Sequence, residues 1–456
     1  MSRYFVLNEM DLIMGPLWFF LIIIIAILIR ELTIKKAEIK KYFLPGLIVK
    51  LVGGVSVCMV YQFYYDPSNG GDTVFYYNTS TGIYKAFWKD PFAFLYLVFK
   101  PDIPRNEFLT YNYEFYYEYG RGMPYFFNFS AYNVVRLAGV VSVPAFNSFI
   151  AMALLFAAIS YIGVWHLFKV FIYYFPDLHQ KFAIAIFFIP SVFFWGSGIL
   201  KDTITFAALG MITYNLFAMF ILRKKIIWNA LLFFYCAFLI INIKAYILLS
   251  YLPLSFFWLF PDSINKIASQ RIRFFIKPLV YGLTFILLPF SLSIFGQFNE
   301  KFSTENIMEF AKVHHNDLKQ DVYYGEKGGS RFDIGYFDGS FSSFVQVAPQ
   351  AIIATFFRPF LWEARNPVMF LAALEALWMT YLFLNILFKY GLKSFYLALI
   401  NNPFIQFAFI YALAFGFFVG FTTPVFGSLV RYKIPALPFF VASLYAATYY
   451  AQTSKK

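Results

Sequence analysis

Runs of about 17–25 apolar residues, the length that spans a bilayer as a helix, recur along this 456-residue chain, and no other feature narrows its fold so far. They fall near 14–30, 46–63, 146–172, 180–198, 204–222, 226–242, 246–260, 277–295, 366–388, 403–421 and 434–451. Inside hydrocarbon every backbone N–H and C=O must be satisfied within its own segment, so such runs fold as helices. The expected fold class is all-α: a polytopic integral membrane helical bundle of about 11 transmembrane helices. A chain that is 61% hydrophobic and 13% charged does not read as a soluble globular domain. The first run lacks a basic leader and a small-residue cleavage site, and is read as a retained helix.

The formal net charge of +13 would suggest nucleic acid in a soluble protein. Here it is assigned to basic loops against anionic lipid, and no nucleic-acid partner is expected. Cys58 and Cys236 both lie in apolar runs, so no disulfide framework or CxxC motif is present. His166, His179, His314 and His315 lack metal-binding spacing and are read as structural or solvated. The 64 Phe and 35 Tyr are read as lipid-facing and interfacial packing.

Short basic segments give the orientation. RELTIKKAEIKK (30–41), RKK (223–225), INKIASQRIRFFIK (264–277), FKYGLK (388–393) and the terminal SKK fall on one side, cytoplasmic by the positive-inside rule, if the amino terminus is outside. Two long segments, about 64–145 and 296–365, are then large outer-face loops on a single membrane domain covering 1–456. No internal repeat is visible, which removes the best cue for a transporter of duplicated halves.

The ionisable residues of the outer face are the candidate site. Lys201 and Asp202 stand side by side in SGILKD (197–202), between two runs, and a charge at bilayer depth is costly unless it meets the boundary or a polar cavity. Asp72 follows the second run in GGDTVFYY (70–77), Lys244 sits in the turn INIKAY (241–246), Arg358, Glu363 and Arg365 precede the ninth run, and Arg431 and Lys433 open the last. The middles of the runs are read as almost free of charge. Simpler readings fit as well: mutual pairing of Lys201 and Asp202, snorkelling of Arg358 and Arg365 to lipid phosphate, a topological anchor at Arg431, and an ordinary turn at Gly70–Asp72.

A sugar carried on a polyprenyl phosphate would use such an arrangement. Its phosphate needs Arg or Lys, its acceptor hydroxyl needs a carboxylate as general base, and phosphate is a good leaving group. No P-loop or dinucleotide motif is present, which argues against a nucleotide-sugar donor. The acidic residue after a span (Asp72 in GGDT), the amphipathic segments that follow, and RY-x-x-P before the last helix (Arg431, Tyr432, Pro435) resemble the C-type fold glycosyltransferases, membrane enzymes that use polyprenyl-linked donors. The resemblance is confined to these short motifs and to architecture. Those enzymes often carry an Asp-x-Asp or Glu-x-Asp pair after the first span, whereas here a single Asp follows the second. It implies Asp72 as catalytic base and Lys201, Arg358, Arg365 and Arg431 as donor-phosphate ligands. Asp202 or Glu363 would orient these cations or hold a divalent metal, for which no spacing motif speaks.

A second resemblance is to the repeat-unit polymerases of O-antigen and capsule assembly, on SGILKD and RPFLWE (358–363). In that reading Arg121, Arg331, Arg358 and Arg365 hold diphosphates, and Asp72 or Asp202 activates the acceptor. A flippase or transporter of lipid-linked saccharides is the non-enzyme alternative. The implied partners are a polyprenyl-linked saccharide, the lipid bilayer of the cell inner membrane and other polysaccharide-assembly membrane proteins.

Overall fold

The computed structural model describes residues 5–65, 71–260, 332–335, 341–423 and 425–453. The expected span 277–295, the basic segment 264–277, His314, His315, Arg331, the terminal SKK and most of 296–340 lie outside the described residues. What is described is helical, with no strand.

In chain order the helices are α1 (Glu9–Thr33), α2 (Ala37–Met59), α3 (Asp72–Lys89), α4 (Pro91–Phe99), α5 (Arg105–Phe115), α6 (Phe129–Ser142), α7 (Phe149–Tyr174) and α8 (His179–Phe187). They continue with α9 (Pro190–Trp195), α10 (Lys201–Leu216), α11 (Ile226–Leu259), α12 (Phe341–Phe357), α13 (Pro367–Asn401), α14 (Pro403–Thr422), α15 (Phe426–Tyr432) and α16 (Leu437–Thr453). Several starts are written in Asx-Pro pairs. Asp90, Asn366 and Asn402 accept hydrogen bonds from first-turn N–H groups, and the proline behind each supplies a helical φ where no N–H is needed.

Seven of these are long and apolar enough to cross a membrane: Glu9–Thr33, Ala37–Tyr64, Phe149–Tyr174, Lys201–Ile221, Ile226–Leu259, Pro367–Asn401 and Pro403–Thr422. The pair Phe426–Tyr432 and Leu437–Thr453, bent by 66°, makes up to eight. The expected count of about 11 is therefore not reached among the described residues. The run 180–198 is cut into α8 and α9, with Phe188 and Ile189 outside both and Pro190 opening the second. Runs 226–242 and 246–260 form one helical stretch, broken at Lys244 (φ −147°, ψ 71°). The segment 64–145, expected as an outer-face loop, contains the helices α3 to α6.

The chain divides into two compact units, Met1–Val170 with Val192–Asn215 and Lys225–Ala245, and Phe171–Ser191 with Leu216–Lys224 and Tyr246–Lys456. In the first, small residues bring helices together as they do in membranes. A Cβ on Gly163 of α7 would lie 2.0 Å from the Ala207 carbonyl oxygen of α10, and one on Gly210 would lie 2.4 Å from the Gly163 oxygen. Asp11, buried at the start of α1, caps α7 by accepting from Ser148 Oγ (2.6 Å) and Ile150 N (2.9 Å). In the second unit Gly420 of α14 meets the Ala351 carbonyl of α12, and Thr355 Oγ1 donates to Gly416 O at 2.6 Å. Much of the aromatic content is interior: Phe356 stacks on Phe440 at 4.1 Å, and Phe407, Tyr411, Phe439 and Tyr251 pack among themselves.

Candidate functional site

The SGILKD stretch follows from small residues and one buried cation. Past the end of α9, residues 196–200 run outside any helix and press on α2. A Cβ on Gly53 would lie 2.3 Å from Phe193 O, and one on Gly198 would lie 2.6 Å from Val57 Cγ1. Lys50 of α2, only 2% exposed, donates its Nζ to the Gly196 carbonyl. Thr203 Oγ1 donates back to Gly198 O at 2.7 Å. The turn is thereby held against α2, and α10 begins at Lys201.

Lys201 and Asp202 reach different neighbours. Lys201 Nζ donates to Ser130 Oγ in the first turn of α6 at 2.8 Å. Asp202 accepts from Lys244, the residue that breaks α11; the two side chains are 1% and 9% exposed. Asp202 thus serves a buried ion pair.

Asp72 is the first residue of α3 and partly buried. Gly71 before it has φ +132°, and a Cβ there would lie 2.6 Å from the Tyr61 ring, so glycine is required on both counts. Tyr125 Oη donates to Asp72 Oδ1 at 3.1 Å. Its ring packs against Phe75 and Tyr76, and its N–H reaches Thr79 Oγ1 at 3.3 Å. One short segment, 125–130, therefore touches the Asp72 carboxylate at one end and the Lys201 ammonium at the other. A carboxylate can take a hydroxyl proton, and a lysine can meet a phosphate charge.

The remaining expected residues belong to the second unit. Arg358 Nε lies 3.1 Å from both oxygens of Glu363, its guanidinium pairs with the same carboxylate, and it stands 5.2, 5.8 and 5.3 Å from the rings of Phe332, Phe360 and Phe426. Glu363 is the carboxylate partner of Arg358. Burial would raise the Glu363 carboxyl, but hydrogen bonds from Arg358 and the Phe360 N–H hold it below its ordinary value. Arg365 is exposed, and Arg431, 8% exposed, has its guanidinium 5.8 Å from the Tyr432 ring.

Buried ionisable groups also occur away from the expected site. Besides Lys50, Glu375 sits inside α13, 4% exposed, and accepts from Ser191 N and Ser191 Oγ, both at 2.8 Å. Lys433, wholly buried, stands 3.9 Å from Glu375 Oε1 and makes no hydrogen bond among the described residues. Single charged letters in LIVKLVGG (47–54) and FLAALEALWM (370–379) were the signal. Tyr125 and Ser130 carried none, because nothing in sequence joins them to partners 53 and 71 positions away. No group of three or more His, Cys, Asp or Glu able to hold a metal ion occurs among the described residues. Compared with family models, curated proteins and solved structures, the chain matches none.

Proposed function

We propose that this protein is a membrane glycosyltransferase. It moves sugar from a polyprenyl-phosphate-linked donor to a glycan or lipid-linked acceptor, on the outer face of the inner membrane, in cell-surface polysaccharide or glycolipid assembly. One observation carries the reading: the segment 125–130 joins the Tyr125-bonded carboxylate of Asp72 to the ammonium of Lys201.

In the reaction Asp72 accepts the proton of the acceptor hydroxyl as that oxygen bonds to the anomeric carbon. The bond from that carbon to the phosphate oxygen breaks, its electron pair leaves with the phosphate, and Lys201 meets the charge. The anomeric configuration inverts. Arg358, which is held by Glu363, and Arg365 and Arg431 belong to the second unit and are given no part in this step. The basic segments 30–41, 223–225 and 388–393 support an amino terminus outside and a carboxyl terminus in the cytoplasm.

A flippase or transporter of lipid-linked saccharides is the second reading. It is favoured by Lys50 and Glu375, ionisable residues inside helices of spanning length.

The test is the lipid-linked saccharide profile, by mass spectrometry, of cells lacking the protein and of cells carrying Asp72→Asn. The expected outcome is the same truncated or unpolymerised intermediate in both, its size separating transfer of one sugar from transfer of a finished repeat. Wild-type behaviour of Asp72→Asn would remove the base and bring transport forward.

A further inference from the structure

The side of α3 that carries Asn78, Lys85 and Lys89 opens onto a cleft of about 320 Å³, with Thr81, Glu118 and Arg121 also among its lining residues. Asn78, Gly82, Lys85 and Lys89 recur at helical spacing and share one face of α3, different from that of Asp72. Lys85 is thirteen residues from Asp72, about 20 Å along the helix at its usual rise. Lys89 is paired with Glu118, which holds its ammonium above the ordinary value. Lys85 and Arg121 meet no carboxylate among the described residues; the Arg121 guanidinium lies 4.8 Å over the Tyr117 ring. The cleft therefore carries two cations in excess.

The end of α3 and the helix that follows it in the chain carry exposed apolar side chains. Trp88, one turn from Lys85, is 63% exposed, and α4 exposes Phe92 (83%), Leu95 (50%) and Phe99 (77%). An exposed row of Trp, Phe and Leu next to Lys and Arg is the pattern of a surface that sits at the headgroup level of a bilayer.

We propose that this cleft binds the phosphate-bearing headgroup of a lipid, with the phosphate on Lys85 and Arg121 and the chain along Trp88, Phe92 and Phe99. Charge complementarity selects an anion, and exposed Trp88, one turn from Lys85, with the exposed rings of α4 that follow it in the chain, selects an anion that carries a hydrocarbon chain. The site is separate from Asp72 and stands or falls apart from it.

The experiment uses the full-length protein carrying Lys201→Gln, which removes the cation of the proposed transfer site, in phosphatidylcholine nanodiscs, with radiolabelled polyprenyl monophosphate as probe and inorganic pyrophosphate as competitor. Saturable binding is expected. It should weaken at least about tenfold in Lys85→Gln/Arg121→Gln, from the loss of two charge-assisted hydrogen bonds, and persist in Lys85→Arg/Arg121→Lys. Phe92→Ser/Phe99→Ser should weaken the lipid and leave pyrophosphate binding unchanged. Pyrophosphate binding as tightly as the lipid would make this a soluble-anion site and overturn the proposal. Unchanged affinity in the Lys85→Gln/Arg121→Gln pair, or absence of saturable binding, would overturn it too.

Discussion

The buried pair Asp202–Lys244 offers the sharpest test of how the candidate site is built. Its side chains are 1% and 9% exposed, so neither charge is relieved by water. Replacing Lys244 with Met keeps the side-chain length and removes the cation that pairs with the carboxylate. Breaking one partner of such a pair costs about 3–5 kcal/mol, whereas replacing both with apolar residues of similar volume is often neutral or better. For a unit of this size each kcal/mol moves the melting midpoint by about 2–4 °C, so Lys244→Met should lose roughly 6–20 °C. Asp202→Leu/Lys244→Met should recover most of that loss. The readout is built into the chain: Cys58 and Cys236 are both buried and free, so a thiol-reactive fluorophore in detergent reports unfolding. A second readout follows position, since Asp202 adjoins Lys201 and a displaced α10 start would separate Lys201 from Ser130. If Lys244→Met melts with wild type, or the double variant loses the sum of the single losses, the ion pair does not hold this part of the fold and the reasoning fails.

Gly163→Ala should destabilise by about 1–3 kcal/mol, the usual range for overpacking, because its Cβ would stand 2.0 Å from the Ala207 carbonyl oxygen; an unchanged thiol-dye midpoint would contradict the close approach of α7 and α10. The Glu363 carboxyl is held below its ordinary value of 4.5 by Arg358 and the Phe360 N–H against the opposing effect of burial. A group depressed in the folded state stabilises fully above its unfolded pKa and loses that contribution as pH falls through the folded one. Melting midpoints should therefore fall on acidification below about 4.5, and Glu363→Gln should flatten that limb; equal slopes would remove the ion pair as its cause.

Much of the helical layout is legible in the chain. The apolar runs of α1, α2, α7, α10 and α14 are long, and Asp90-Pro91, Asn366-Pro367 and Asn402-Pro403 mark starts. The run 180–198 misleads because its apolar length suffices for a span while Pro190, inside it, opens a second helix. The segment 64–145 misleads for a different reason: Tyr and Phe line both the buried and exposed faces of α3 to α6, so no clean apolar stripe stands out. At the site, Asp72 and Lys201 could be picked out as charges next to spans. Their partners could not, since Tyr125, Ser130 and Lys50 are brought in by tertiary packing. The pairing of Lys201 with Asp202, natural from adjacency, gives way to contacts with Ser130 and Lys244 because successive residues of a helix start project in different directions.

The ionisable groups inside the spans bear on which reading is stronger. A transported substrate or coupling ion would use such groups as ligands, and they would then line a path. Lys50 instead donates to the Gly196 carbonyl, at the turn that launches Lys201, and Glu375 accepts the N–H and hydroxyl of Ser191 at the start of α9. Each meets backbone left unpaired where a helix breaks, an orphan that hydrocarbon would leave costly and that a charged partner satisfies strongly. Their burial is therefore explained by the chain's own irregular backbone. Lys433 differs, since its ammonium is wholly buried, 3.9 Å from Glu375, and without a hydrogen bond among the described residues. Of these three residues Lys433 carries what is left of the case for transport, while the enzyme reading draws on a carboxylate and a cation that share a short segment of chain.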